Sequence, residues 1–183
     1  MPSSGIPKKD DTVFIMIDIQ EKFLPVIYDI QSVIENSNRL VKSSSILNIP
    51  LIITEQYPKG LGPTVDEIQL EDNQSVIEKI TFDCFGCDEF VSALDSLNRK
   101  CLIIFGIEAH VCILQTCLHA VEKGYEVHVI ADAVSSRTQN NRNIALERIR
   151  QSGVFVASTE MILFQLLDRA GTDEFKAISK LVK

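Results

Sequence analysis

Three chemically useful side chains stand where apolar runs end. Asp18 follows the run at 13–17, Lys79 follows 76–78, and Cys112 lies just beyond 102–105. A thiol becomes a nucleophile when a base within hydrogen-bond reach takes its proton, and a carboxylate can be that base. An ammonium group beside both favours the thiolate and holds the carboxylate in place. Cys112 also opens a helix-like run over 112–122. A helix N-terminus lowers a thiol pKa and offers backbone N–H donors to an oxyanion. Each residue has an ordinary reading too. A helical Cys is often a small buried hydrophobe, an Asp after a strand a turn residue, and a Lys there a solvated one. Spacing alone leaves both readings open.

The elements that must position these residues alternate between two periods. Residues 13–17, 51–53, 102–105, 125–131 and 154–156 read as buried strands, with 75–80 a short extended segment. Helical patterns occupy 33–47, 88–97, 112–122, 141–152, a stretch ending at Arg169 and capped by Ser158 or Thr159, and 173–181. Pro58, Gly60, Gly62 and Pro63 make 55–65 a loop. Alternation of this kind predicts an α/β fold: a single-domain, Rossmann-like three-layer sandwich with a central parallel sheet and helices on both faces. Residues 1–10 are expected to be a flexible N-terminus and 11–183 the domain. All three candidate residues would then face the carboxyl edge of the sheet, where ligand crevices form.

Composition narrows the function classes. The 183 residues suffice for one domain and one core. A net charge of −7 argues against nucleic-acid or anionic-membrane partners, which need clustered Lys and Arg. No apolar stretch is long enough to span a bilayer, and the polar N-terminus does not read as a secretory signal. Five cysteines, an odd count, fit reduced thiols in the cytoplasm or an organelle matrix better than a disulfide framework.

The motifs together resemble those of the isochorismatase-like cysteine hydrolases, in particular the isochorismatase domain-containing subgroup. Asp18-Ile19-Gln20-Glu21-Lys22-Phe23 resembles the family's Asp-x-Gln-x-x-Phe. Thr54-Glu55-Gln56-Tyr57-Pro58, Glu78-Lys79-Ile80-Thr81-Phe82 and Gly106-Ile107-Glu108-Ala109-His110-Val111-Cys112 follow in family order, then Asp132-Ala133-Val134-Ser135-Ser136-Arg137. The resemblance implies that Asp18 is the general base, that Lys79 orients it and stabilises the thiolate, and that Cys112 attacks a carbonyl carbon. It implies an oxyanion hole from the backbone N–H groups of Glu108 and Cys112, a cis Ile107–Glu108 peptide, and a substrate-lining role for Phe23. The activity implied is amidase-like cleavage of a small-molecule C–N bond through a Cys thioester, by a homo-oligomer without a cofactor.

Departures from the family pattern sharpen these expectations. Nicotinamidases carry an Asp-x-His metal cluster after the second strand, and the 54–58 segment here has no histidine. No metal and no nicotinamidase activity are therefore expected. True isochorismatases lack the nucleophilic cysteine, so Cys112 argues against vinyl-ether hydrolysis. Two other classes stay in view: a catalytically silent binding or scaffold oligomer on the same fold, and a thiol-redox protein using Cys84 and Cys87.

Overall fold

The computed structural model describes residues 4–71 and 74–183. Six parallel strands form one sheet: β1 (Thr12–Ile17), β2 (Leu51–Gln56), β3 (Val76–Lys79), β4 (Cys101–Ile107), β5 (Glu126–Ser135) and β6 (Phe155–Ala157). Their order is β3-β2-β1-β4-β5-β6. β1 and β4 are buried at every residue, which explains their unbroken apolar runs. Phe14 and Phe105 meet edge-to-face between them at 6.4 Å. Among the described residues seven α-helices cover the sheet: α1 (Ile30–Leu47), α2 (Pro58–Leu61), α3 (Asp88–Leu97), α4 (Leu114–Glu122), α5 (Gln139–Gln151), α6 (Thr159–Leu167) and α7 (Asp173–Leu181). α1, α6 and α7 pack together, and α4 packs with α5. The fold is the three-layer α/β sandwich expected from the alternation.

Chain direction reverses across the sheet at β1 and β4. From β1 the chain steps outward to β2 and β3, then returns to place β4 on β1's other side. In parallel sheets the crevice at such a switch point, beyond the strands' carboxyl ends, is where ligands bind. Asp18 leaves β1 and Cys112 follows β4 at this point.

Several strands run past their apolar residues. β2 continues through Thr54, Glu55 and Gln56, all buried, because loop residues satisfy them. The Glu55 carboxylate accepts from the Thr64 N–H at 2.6 Å and its hydroxyl at 2.7 Å. β5 runs to Ser135 with a register shift against β4 between Ile104 and Gly106. Asp132 is tolerated there because its carboxylate accepts from the Thr159 N–H and hydroxyl at 2.8 and 2.9 Å. The Arg142 guanidinium donates to the carbonyls of Ala131 and Val134 in the irregular stretch. Ser158 is the α6 cap, accepting from the Met161 N–H. The helix expected to begin at Cys112 instead begins at Leu114, after a π-helical turn over Ala109–Ile113. The N-terminal stretch expected to be flexible is seated on the domain in its described part. Gly5 and Pro7 are buried, and Lys9 pairs with Glu174 at 2.8 Å.

Gly106 is the tightest backbone position in this scaffold. Its φ is +119°, and a Cβ there would collide with the Ile17 carbonyl oxygen of the neighbouring strand. Neither strand can yield without breaking the central ladder. Gly106→Ala should therefore lower unfolding free energy by about 3 kcal/mol or more, read as a fall in the urea midpoint. A loss below about 0.5 kcal/mol would show that β1 and β4 are not held this closely.

Candidate active site

The end of β1 sets the first group in place. Asp18 has a left-handed backbone, φ 56°, which Asp tolerates better than most residues. Its N–H donates to the Thr54 carbonyl at 3.1 Å. The turn aims the carboxylate across the strand ends, and both oxygens are engaged. Thr54 Oγ1 donates to Oδ1 at 2.7 Å, and Lys79 Nζ donates to Oδ2 at 2.7 Å. The Lys79 and Asp18 side chains are 0 % and 1 % exposed.

Lys79 reaches Asp18 from the last position of edge strand β3, passing over β2. Its ammonium also donates to Gln56 Oε1 at 2.8 Å and to the carbonyls of Thr81 and Phe82 at 3.3 and 3.4 Å. Burial alone would favour the neutral amine. Asp18, with smaller contributions from Cys84 and Cys112, outweighs it, so the Lys79 pKa is raised and the group stays charged. Gln56 is fixed in turn. Its N–H donates to Gln20 Oε1 at 2.8 Å and its amide Nε2 to the Ile80 carbonyl at 2.6 Å. Gln20 spans the gap with bonds to the Gln56 and Gly62 carbonyls. Thr54, Gln56 and Gln20 therefore hold the carboxylate–ammonium pair, roles that spacing did not reveal.

Cys112 sits inside the π-helical turn, 6 % exposed, with its thiol beside the Asp18 carboxylate. Short π-helical segments recur at functional sites because they displace one side chain from the regular helix surface. Helix position and the lysine were expected to lower the thiol pKa. The structure shows the reverse. Burial and the Asp18 carboxylate push it up, and Lys79 opposes them without prevailing. The resting group is thus a protonated thiol beside a carboxylate.

Above Cys112 lies a cavity of about 260 Å³. Phe23, Leu61, Phe82 and Val111 form its apolar walls, and Gln56, Glu108 and Arg137 add polar atoms. Glu108, 5 % exposed, is turned toward Arg137. Its carboxylate accepts from the Arg137 N–H at 3.2 Å and from Nε at 3.3 Å. The Glu108 charge is therefore balanced within the wall. The Ile107–Glu108 peptide is cis.

The remaining candidates lie apart. Cys84 is fully buried, and burial pushes its thiol up to about 12, opposite to the low-pKa thiol that a Cys-x-x-Cys oxidoreductase needs. Its N–H donates to the Thr116 hydroxyl oxygen at 3.1 Å, which fastens this turn to α4. His110 contacts Ser136 and Asn141, His119 pairs with Asp83 at 2.5 Å, and His128 is buried beside Glu126. Among the described residues no metal-ligand cluster forms around Cys112.

Comparisons with known proteins agree on one family. The isochorismatase domain family matches residues 12–161. The secreted isochorismatase effector Isc1 of Phytophthora sojae (strain P6497) is 45 % identical over 177 residues, covering 94 % of this chain and 84 % of its own. Isochorismatase domain-containing protein 2 of Danio rerio is 46 % identical over 172 residues, covering 93 % and 86 %. The solved structure of Mar1 ribonuclease from Caenorhabditis elegans has a TM-score of 0.90 at 35 % identity, over 96 % of this chain and 91 % of that one.

A raised thiol pKa has a direct kinetic signature. The thiolate fraction, and with it alkylation of Cys112 by iodoacetamide, should climb about tenfold per pH unit through pH 9 in the free protein. Cys112→Ser identifies the site in the mass spectrum. A rate that levels off between pH 7 and 8 would mean a preformed thiolate and contradict this reading.

Proposed function

Since the chain belongs to the isochorismatase family, we propose that this hydrolase fold cleaves small amide-like C–N bonds through a Cys112 thioester. One observation carries the reading: a carboxylate oriented by Thr54 and Lys79 lies beside a thiol on the floor of a small cavity. In the first half-reaction Asp18 takes the thiol proton as Cys112 Sγ attacks the carbonyl carbon. The backbone N–H groups of Glu108 and Cys112 receive the oxyanion. Collapse breaks the C–N bond, and the amine leaves with the proton held by Asp18. Water then gives a proton to Asp18 and adds to the thioester. Breakdown of that adduct releases the acid and restores the thiol. Lys79 keeps Asp18 aimed at the sulfur in both halves.

The cavity supports a small substrate. Its volume falls below the usual range for drug-sized ligands, and its walls are mostly apolar. The Caenorhabditis elegans relative is named a ribonuclease. Here a net charge of −7, with one arginine at the cavity, gives a polyphosphate chain little to bind.

Ammonia or amine release should be followed across a panel of small primary amides and ureido compounds, with ribosomal RNA as a further substrate. Cys112→Ala and Asp18→Asn should each lower kcat by about a thousandfold or more, and hydroxylamine should divert the acyl group to a hydroxamate. Amide turnover that survives in Cys112→Ala, or RNA cleavage without amide turnover, would sink the proposal.

Self-association is part of the same reading. Tyr57, Ile80 and Phe82, at 54, 82 and 53 % exposed, present apolar side chains on the β3 side of the cavity. Sedimentation velocity should return a multiple of the single-chain mass, and Ile80→Lys should reduce it. A monomer at tens of micromolar would refute a homo-oligomer.

A further inference from the structure

The amino edge of the sheet, opposite Cys112, carries a cluster that this chemistry does not use. Cys101 begins β4 and Glu126 begins β5, and the two are register partners. Parallel partners project to the same face, as do residues two apart on one strand. Cys101, Glu126 and His128 therefore converge by strand register alone. One donor atom from each lies within 4.8 Å of the other two. His128 Nε2 is 3.1 Å from Glu126 Oε1, and the Cys101 thiol is hydrogen-bonded with Glu126 as well.

The surroundings fix these donors. His128 stacks on its register partner Phe155, ring centroids 5.1 Å apart, and Gly5 lies against the Phe155 ring. Cys101 and His128 are 2 % and 1 % exposed, whereas the Glu126 side chain keeps 22 % of its surface in solvent. The cluster is thus closed on the sheet side and reachable from outside.

We propose that Cys101, Glu126 and His128 form a site for a zinc-like divalent transition metal, with water as the fourth ligand. Tetrahedral zinc with one sulfur, one nitrogen and one oxygen ligand needs donor separations of roughly 3.3 to 3.6 Å. The observed spacing reaches that with shifts of about an ångström. A mixed thiolate–imidazole–carboxylate set excludes magnesium and calcium, which take oxygen donors. On uptake the metal replaces the thiol proton, so one proton leaves per ion bound at Cys101. This proposal departs from the expectation of no metal, which rested on the 54–58 segment and on the wide spacing of the three histidines; strand register brings His128 to Cys101 and Glu126 instead of to another histidine. Without metal the three side chains satisfy one another by hydrogen bonds, so the metal-free chain stays folded and can be titrated. The metal would act as a clamp between β4 and β5.

The test is titration of the full-length, chelator-stripped chain with Co²⁺ and then Zn²⁺. A cobalt–thiolate charge-transfer band should saturate at one equivalent per chain and be displaced by zinc. Cys101→Ser should abolish the band, and His128→Gln should weaken binding about a hundredfold. Cys112→Ser should leave both unchanged. No thiolate band in the wild type overturns the site. So does a band that persists in Cys101→Ser or is lost in Cys112→Ser. If those core variants do not fold, Glu126→Gln on the exposed side should weaken cobalt binding at least tenfold, and unchanged affinity there overturns the site equally.

Discussion

A lysine and an aspartate that share a bond away from water constrain everything around them. Desolvating two charges costs several kcal/mol each, and their attraction offsets this only when geometry is good and remaining donors are satisfied. Lys79 and Asp18 meet that condition through Thr54, Gln56 and two backbone carbonyls. The arrangement ties edge strand β3 to central strand β1 across β2. It also dictates polar residues at the end of β2, where an apolar strand would leave the ammonium short of acceptors. Removing either charge would strand the other in the interior, so the pair is a structural commitment as well as a chemical one.

That commitment explains the state of the thiol. A charged lysine nearby could have drawn Cys112 toward thiolate, but its charge is already compensated by Asp18. What remains at the sulfur is burial and a neighbouring carboxylate, and both favour the proton. Lys79 thus holds Asp18 in place while burial and Asp18 keep the Cys112 thiol neutral. Ionisation of the sulfur then belongs to the moment of bond formation.

Much of this was legible in the sequence, and the rest was hidden for definable reasons. β1 and β4 announced themselves as unbroken apolar runs, and Asp18, Lys79 and Cys112 could be found from their places beyond such runs. The ends of β2 and β5 could not. Thr54, Glu55, Gln56 and Asp132 look like loop residues until Gln20, Thr64 and Thr159 arrive from distant segments to satisfy them. The thiol's direction of shift was misread because the local rule, a helix start beside a lysine, says nothing of burial. The meeting of Cys101, Glu126 and His128 depends on the pairing of β4 with β5, which no one-dimensional pattern encodes. The contact of Gly5 with Phe155 was equally hidden, because the polar composition of the N-terminal stretch gives no sign of packing.

The protonated resting state of Cys112 bears on how the protein ages. Peroxide oxidises thiolates far faster than thiols, and the product can proceed irreversibly to sulfinic and sulfonic acids. Many thiol enzymes carry this hazard continuously because their nucleophile is pre-ionised. Here the sulfur is 6 % exposed and neutral at rest. The same burial that slows its first encounter with an electrophile shields it from oxidants, giving a reactive group with a long shelf life.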